Sequence, residues 1–445
     1  MVQPSFPVEV ALSVQSLAEL LHAAHAWRLA PLLWGMLFSR GRRTVTSWLR
    51  AGGLGDDFQG YYYLLATVGR NVKSLAGAVL RLAVRTVHPG ARLLFAIDDT
   101  PTKRYGPHVQ GAGVHHNPTP GPAGQKFVYG HVWVTLSWVV RHALWGTLGL
   151  PLLACLYVRR ADIPGLPRRS GVRFQTKLEQ AAALVEWLAG WLRYLEKSLW
   201  VVVDGAYIKA PFLKRALQAG ATVVGRLRHD AALWSVPAPA GPGGRRRGRP
   251  RKYGAERVSL ARRAGHRRGW QHGTFLLYGV ETSIRYKSFL ATYKPAGGLV
   301  RVVIVREDGG AWRAYLCTDP DASVADILEA VADRSAIEQN FHDIKEVHGA
   351  GQQQLRNYWA NVGAFNLVLW LHTLIELWAW GRPKKDLVDR SASPWDDPTR
   401  RPSHADRRNA LRRQCLDSDF QREAAAAGLS RKIRRLWARL LKLAI

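Results

Sequence analysis

Four acidic residues lie at positions from which carboxylates are able to hold metal ions. Asp98 and Asp99 close one short apolar run, ARLLFAIDDT, and Asp204 closes a second, SLWVVVDG. Each run is typical of a buried strand that ends at a site. Glu338 lies in a segment, 332–349, whose pattern predicts a helix. Carboxylates at strand ends and on a nearby helix hold two hard cations about 3.5–4 Å apart, and oxygen ligands suit Mg²⁺ or Mn²⁺.

Ions held in this way activate a water or a 3′-hydroxyl and stabilise the leaving oxygen of an in-line phosphoryl displacement. Each acid also has an ordinary structural explanation when it is taken alone. Asp98 can cap a turn, Asp204 and Gly205 form a common turn pair, and Glu338 can be an exposed helix charge. The surroundings of Glu338 favour the chemical interpretation.

The predicted helix 332–349 presents two cations beside its carboxylate. At 100° per residue, four side chains fall within about 60° of one another around the helix axis. They are Arg334, Glu338, Phe341 and Lys345. A carboxylate between two cations on one stripe suits a metal site that must also hold phosphates. The simpler alternative is an exposed helix with one Arg–Glu pair, which contributes only about 0.2–0.5 kcal/mol.

The segment RSAIEQNFHDIK (334–345) resembles the Tyr-Arg-Glu-Lys signature of one branch of the DDE transposases of bacterial insertion sequences. It matches Arg, three residues, Glu, six residues, Lys. One position departs, because the Tyr of the signature is replaced by Val331. The resemblance implies a ribonuclease-H-like catalytic domain that uses two Mg²⁺ (or Mn²⁺) ions to cut and rejoin DNA at transposon ends. It also implies a homodimer in the complex with double-stranded DNA.

The resemblance further implies a role for each acid. Asp204 and Glu338 are the expected second and third metal ligands, and Arg334 and Lys345 are expected to hold phosphates. The first ligand is Asp98 or Asp99, because the alternation of side chains along a strand cannot be assigned without the sheet.

The charge of the chain predicts a nucleic-acid partner. Its 445 residues include 64 Lys and Arg against 33 Asp and Glu, which gives a net charge of +31. A folded protein this basic is expected to spend time against a polyanion. The three cysteines are widely spaced, which indicates a reducing cytosol and excludes a structural zinc site made of cysteines. No apolar run is a clean membrane span, so we expect a protein of the bacterial cytoplasm, associated with the nucleoid and not with a membrane.

Two basic segments are candidates for DNA contacts. Residues 41–54 predict a short helix, equally compatible with the second helix of a helix-turn-helix motif and with an ordinary surface helix. RRRGRPRKYG (245–254) resembles an AT-hook laid in a narrow minor groove, and its alternative is a flexible linker that holds phosphates. The candidate DNA-binding residues of the two segments are Arg42, Arg43, Arg245, Arg246, Arg247, Arg249, Arg251 and Lys252.

The order of elements predicts an α/β fold with a mixed sheet, flanking helices and a helical N-terminal region. The resemblance implies that this sheet is ribonuclease-H-like, with a mainly β insertion between the second Asp and the Glu. Two rivals remain for the function, an inactive or domesticated relative that only binds DNA and a metal-dependent nuclease without strand transfer.

The expected regions are a helical DNA-binding region (1–88), the first part of the core (89–228), the β-rich insertion with its basic linker (229–308), the second part of the core (309–380) and a basic helical C-terminal region (381–445).

Overall fold

The computed structural model describes residues 6–116, 126–238, 251–306, 310–390, 393, 395–427, 433 and 437. Twelve strands in this part of the chain belong to one sheet. The strands are β1 (Arg92–Lys103), β2 (Gly113–His116), β3 (Phe127–His142), β4 (Gly146–Tyr157), β5 (Ser198–Val203), β6 (Thr222–Leu227), β7 (Leu233–Trp234), β8 (Arg257–Val258), β9 (Gln271–Leu277), β10 (Val280–Tyr293), β11 (Gly298–Arg306) and β12 (Trp312–Cys317).

The α-helices of the described residues lie mainly at the two ends of the chain and between the strands of the core. They are α1 (Val8–Ala18), α2 (Ala23–Ala26), α3 (Leu29–Phe38), α4 (Val45–Ala51), α5 (Phe58–Arg70), α6 (Val72–Val87), α7 (Lys177–Leu192), α8 (Ala210–Gln218), α9 (Leu260–Gly265), α10 (Val324–Asp333), α11 (Ser335–Glu346), α12 (Tyr358–Ala379), α13 (Lys384–Leu387) and α14 (His404–Ala427).

The core of the sheet has the strand order β4-β3-β1-β5-β6. β1, β3 and β4 form an antiparallel meander, whereas β5 runs parallel to β1 and β6 runs parallel to β5. This is the strand order of a ribonuclease-H-like fold, and it confirms the mixed α/β sheet that the sequence predicts. The apolar run of β5 is buried along almost its whole length, as expected for a strand inside a parallel pair.

The strands that follow β6 extend the same sheet. β12 pairs antiparallel with β6, and β11 and β10 continue outward from it. β9 then folds back on β10. Strands of the predicted β-rich insertion, β10 and β11, therefore lengthen the core sheet at its β6 side.

The N-terminal helices pack closely on α12. A Cβ atom at Gly69 of α5 would lie 1.9 Å from the backbone oxygen of Trp359, and one at Gly363 of α12 would lie 1.9 Å from the oxygen of Leu65. Glycine at both positions therefore allows the two helix backbones to touch. By length and composition α12 is apolar enough to cross a membrane, but 94% of its most apolar window is buried inside the protein. This burial is that of a helix in the core of the protein.

Two local predictions were wrong. β1 does not end at its acids but continues through Asp98 and Asp99 to Lys103, because β3 pairs with it along that whole length. The predicted helix 332–349 is also interrupted, since α10 ends at Asp333 and α11 begins at Ser335. The Ser335 hydroxyl donates to the backbone oxygen of Ala332 at 2.8 Å, a local hydrogen bond that competes with a continuous helix.

Candidate functional site

Asp98 and Asp204 lie side by side at one edge of the β1–β5 pairing. The parallel register ends with Ile97 opposite Val203, so the next residue on each strand is an aspartate. Beyond this point β5 stops, and the Asp204 carboxylate accepts a hydrogen bond from the Ala206 amide at 3.5 Å and caps a short 3₁₀ turn. The end of the parallel pairing therefore brings together two of the sequence-predicted acids.

Asp98 and Asp99 point to opposite faces of the sheet, as neighbours on a strand must. Asp98 Oδ2 accepts a hydrogen bond from Arg334 Nη1 at 2.7 Å. Asp99 instead pairs with Lys177 Nζ at 2.6 Å and accepts a hydrogen bond from the Tyr207 hydroxyl at 2.9 Å. Asp98 therefore lies on the side of the sheet that faces Arg334, and Lys177 and Tyr207 hold Asp99 on the other side.

Arg334 joins the strand acids to Glu338. It stands at the residue before α11, and its Nη2 donates to Glu338 Oε1 at 2.6 Å while its Nη1 donates to Asp98 Oδ2 at 2.7 Å. Burial by itself would lower the pKa of Arg334, but the charges of Asp98, Glu338 and Asp204 raise that pKa above its ordinary value. We call Asp98, Asp204 and Glu338 the carboxylate cluster, since all three act on one guanidinium.

The negative charge of this cluster is only partly compensated. Burial raises the pKa of Asp98 to about 6, although Arg334 and the Asp99 amide both favour its ionised form. A carboxyl group with a raised pKa beside other acids is typical of a functional site. All the candidate donors are carboxylate oxygens, which is the donor set that hard divalent cations prefer. The residues of the cluster therefore fit a magnesium or manganese site.

The rest of the predicted stripe on α11 is less exposed than expected. Phe341 is buried, and burial lowers the pKa of the half-buried Lys345. Glu338 keeps 59% of its side chain exposed. Val331, which stands where the signature has Tyr, packs against the hydrophobic core. Glu338 is thus the one exposed member of the four-residue stripe.

Two further residues near this edge were not predicted from the sequence. Lys177 begins α7 beside the Thr176–Glu179 capping box, and its ammonium reaches Asp99. A lysine in the first turn of a helix is disfavoured by the helix dipole. Its position there was a sign in the sequence that Lys177 pairs with an acid elsewhere. Tyr207 is buried, and burial together with Asp99 raises its pKa, so its hydroxyl stays a hydrogen-bond donor.

The basic N-terminal residues lie differently from the prediction. Arg42 and Arg43 precede α4, because Thr44 caps that helix and leaves both arginines in the preceding turn. Arg42 lies 6.0 Å from the ring of the exposed Tyr105, and the Arg43 amide donates to Gln352 at 2.8 Å. Arg42 and Tyr105 line one cavity together with Gln352 and Gln354, so both arginines lie next to the segment that follows α11.

The basic linker is described only at its end. Arg251 and Lys252 are exposed. The other predicted members of the AT-hook-like segment lie outside the described residues. These are Arg245, Arg246, Arg247 and Arg249.

Comparison with known proteins identifies the family. The model of the DDE superfamily endonucleases matches residues 16–274, more than half of the chain. The chain therefore belongs to the DDE superfamily endonuclease family. Comparison with curated protein sequences found no match.

Two solved structures are similar over most of their length. The cryo-EM structure of the piggyBac transposase synaptic complex with hairpin DNA shares 11% identity and a TM-score of 0.39, covering 97% of this chain and 82% of that chain. The NurA nuclease from Sulfolobus solfataricus shares 8% identity and a TM-score of 0.22, covering 62% of this chain and 85% of that chain. Both scores are below 0.5, so the family assignment rests on the sequence match alone.

Proposed function

We propose that this protein is a DNA transposase that cuts and joins phosphodiester bonds at transposon ends. The observation that supports this most is that Arg334 contacts both Asp98 and Glu338, with Asp204 following the strand next to Asp98, in a chain that belongs to the DDE superfamily endonucleases. Of the two candidates for the first metal ligand, we propose Asp98, since Asp99 faces Lys177 and Tyr207.

The carboxylate cluster would hold two Mg²⁺ (or Mn²⁺) ions, which when bound activate a water or 3′-hydroxyl and stabilise the leaving oxygen. Arg334 bridges Asp98 and Glu338 at 2.7 and 2.6 Å and neutralises them in the absence of another cation. If bound cations neutralised those carboxylates instead, the planar guanidinium would be free to bind a phosphate of the DNA through two parallel hydrogen bonds. Lys345, on the same face of α11, is proposed to hold a neighbouring phosphate.

The remaining parts of the proposal concern how DNA is held. The net charge of +31 supplies the attraction to the phosphate backbone. Arg42, Arg43 and the basic linker at 245–254 are proposed to contact double-stranded DNA at the transposon ends. We further propose the insertion-sequence branch with the Tyr-Arg-Glu-Lys signature, a homodimer in the DNA complex, and a place in the bacterial cytoplasm on the nucleoid.

A nuclease that cuts DNA without joining it is the second candidate, and the endonuclease description of the family favours it. Both functions use the same acids, so the products distinguish them. Strand transfer joins a labelled transposon end to a target plasmid, whereas a nuclease only shortens the labelled end. An inactive DNA-binding relative gives neither product.

The test uses the purified full chain, a labelled duplex with the element's end, a target plasmid and Mg²⁺. Wild type is compared with Glu338→Gln and Asp204→Asn. We expect cleavage and joining by wild type and a loss of both in the variants, with DNA binding retained. Variants that cut as well as wild type overturn the carboxylate cluster as the active site, and cleavage without joined product overturns the transposase in favour of the nuclease.

A further inference from the structure

Three metal-ligating side chains meet between α12 and α14, away from the carboxylate cluster. His372 and Glu376 lie one turn apart on α12, and His404 is the first residue of α14. One ligand atom from each lies within 4.8 Å of the others. All three residues are at most 3% exposed. We call this group the histidine cluster.

The histidine cluster contains a polar group without a partner. Neither ring nitrogen of His372 has a hydrogen bond among the described residues, although the residue is only 2% exposed. Its ring stacks on that of His404 with the centroids 3.8 Å apart. A buried polar atom left unpaired costs about 1–3 kcal/mol, so a side chain with two such atoms calls for a ligand that satisfies one of them.

The space beside His372 is suited to a small cation. The histidine cluster lines a cavity of about 300 Å³, which is also lined by Asp343 of α11. Asp343 Oδ2 lies 3.8 Å from His372 Nε2 and is a possible fourth ligand. Gln339 Nε2 donates to the other oxygen of Asp343 at 3.0 Å and leaves Oδ2 directed at His372.

We propose that the histidine cluster binds one Zn²⁺ ion, with His372, Glu376 and His404 as ligands and Asp343 or a water as the fourth. Two imidazoles and one carboxylate form a known donor set for zinc, and imidazole nitrogen distinguishes it from the all-oxygen sets that suit Mg²⁺. The carboxylates of Glu376 and Asp343 would both face the ion, and Glu376 would share its charge with the Arg407 guanidinium.

The surrounding contacts are those expected around a zinc site. Arg407 Nη2 donates to Glu376 Oε1 at 2.9 Å and holds this carboxylate in place. His404 Nδ1 faces Glu376 at 2.5 Å, and His404 Nε2 faces His348 Nε2 at 2.7 Å. With Nδ1 on the ion, the Nε2–H of His404 would donate to His348, the kind of outer contact that fixes the tautomer of a ligating histidine.

The proposed ion would fasten α14 to α12 and α11. Asp343 and Glu338 lie on the same helix, about 140° apart around its axis and about 7.5 Å apart along it. The two sites therefore use opposite sides of α11. Zinc at the histidine cluster would stiffen the helix from which Glu338 projects, without contributing a group to the carboxylate cluster.

The test is stoichiometric metal binding by the untagged full chain. After removal of metals with a chelator, Co²⁺ is titrated as a spectroscopic substitute for Zn²⁺. We expect about one equivalent of Co²⁺ to give the visible absorption of a four-coordinate site with nitrogen ligands. His372→Gln should remove this absorption, and because His372 has no hydrogen bond to lose, the variant should stay folded.

Two control variants locate the signal. His342→Gln changes an exposed neighbour of Asp343, and Glu338→Gln changes the carboxylate cluster. Both should keep the absorption. Wild type without it, or His372→Gln with it undiminished, overturns the proposal. If His372→Gln does not fold, X-ray absorption on zinc-loaded wild type decides the matter, since a zinc shell without two imidazoles also overturns it.

Discussion

The carboxylate cluster and the histidine cluster lie on opposite sides of α11 and differ in how their polar groups are compensated. In the carboxylate cluster, Arg334 bridges Asp98 and Glu338, and 59% of the Glu338 side chain is exposed. In the histidine cluster the residues are at most 3% exposed, and His372 has no hydrogen-bond partner among the described residues. One region has an excess of charge that a guanidinium partly offsets, and the other has buried ring nitrogens without a hydrogen bond among the described residues.

This difference separates two classes of cation. Carboxylate oxygens at an accessible sheet edge suit a hard ion that keeps some of its waters and can exchange with substrate phosphates. Buried imidazoles suit a borderline ion that stays in place and stabilises the fold. If both proposals hold, catalysis and structural metal binding are divided between the two faces of α11.

The largest expected effect is that of removing the first carboxylate. Asp98→Asn should lower the rate of Mg²⁺-dependent DNA cleavage by about 10³-fold, because a lost metal ligand removes several kcal/mol of transition-state stabilisation. Single-turnover cleavage of a labelled duplex measures this. A decrease of less than about tenfold would remove Asp98 from the proposed site.

The next largest effect on cleavage is expected at Arg334, which bridges Asp98 and Glu338. Arg334→Lys should lower the cleavage rate by about 10–100-fold, since an ammonium cannot contact Asp98 and Glu338 together or bind a phosphate through two nitrogens. Arg141 is a matched control, because it also bridges two acids, Glu329 and Asp333. Arg141→Lys should cleave at the wild-type rate, and an equal loss in both variants would indicate general destabilisation.

The burial of the Asp98 carboxylate should also make the free energy of unfolding depend on pH. Its pKa is about 6 in the folded protein and 3.8 ordinarily, so the folded state holds the proton more tightly and stability falls as the pH rises through this window. Without metal, Asp98→Asn should therefore raise the free energy of unfolding by up to about 2–3 kcal/mol at pH 7.5 and by much less at pH 4. Denaturant titrations at the two pH values measure it, and a gain that is larger at pH 4 would contradict the assigned burial effect.

The smallest effect is expected at the neighbouring acid. Asp99→Asn should change cleavage by less than about tenfold, because its carboxylate binds Lys177 and Tyr207 on the other face of the sheet. Lys177→Met serves as its control and should give a change of the same size. If Asp99→Asn abolishes cleavage while Asp98→Asn does not, Asp99 and not Asp98 is the first metal ligand.

Much of this arrangement could be predicted from the sequence. The apolar runs of β1 and β5 show that an acid follows the buried part of each strand, although only β5 ends there, and the spacing of Arg334 and Glu338 places them one helical turn apart. Hydrophobic periodicity and short-range spacing suffice for these features, because they are properties of single elements.

What could not be predicted depends on contacts between distant segments. Asp98 and Asp99 can be distinguished only when the face of β1 that contacts Arg334 is known. Arg334 is 236 positions away from Asp98 in the sequence. The continuation of β1 past its acids depends on β3 pairing with it. The histidine cluster was overlooked because His404 reaches α12 only in the folded chain, although a histidine and a glutamate one turn apart in the apolar helix α12 were a visible sign.

The central claim is that Asp98, Asp204 and Glu338 form one cation site. Titration of Mn²⁺ into the full chain, followed by the electron paramagnetic resonance of the free ion, tests it most directly. Wild type and Asp99→Asn should bind Mn²⁺ alike, whereas Asp98→Asn, Asp204→Asn and Glu338→Gln should each lose that binding. Unchanged Mn²⁺ binding in those three variants, or its loss only in Asp99→Asn, would contradict the account.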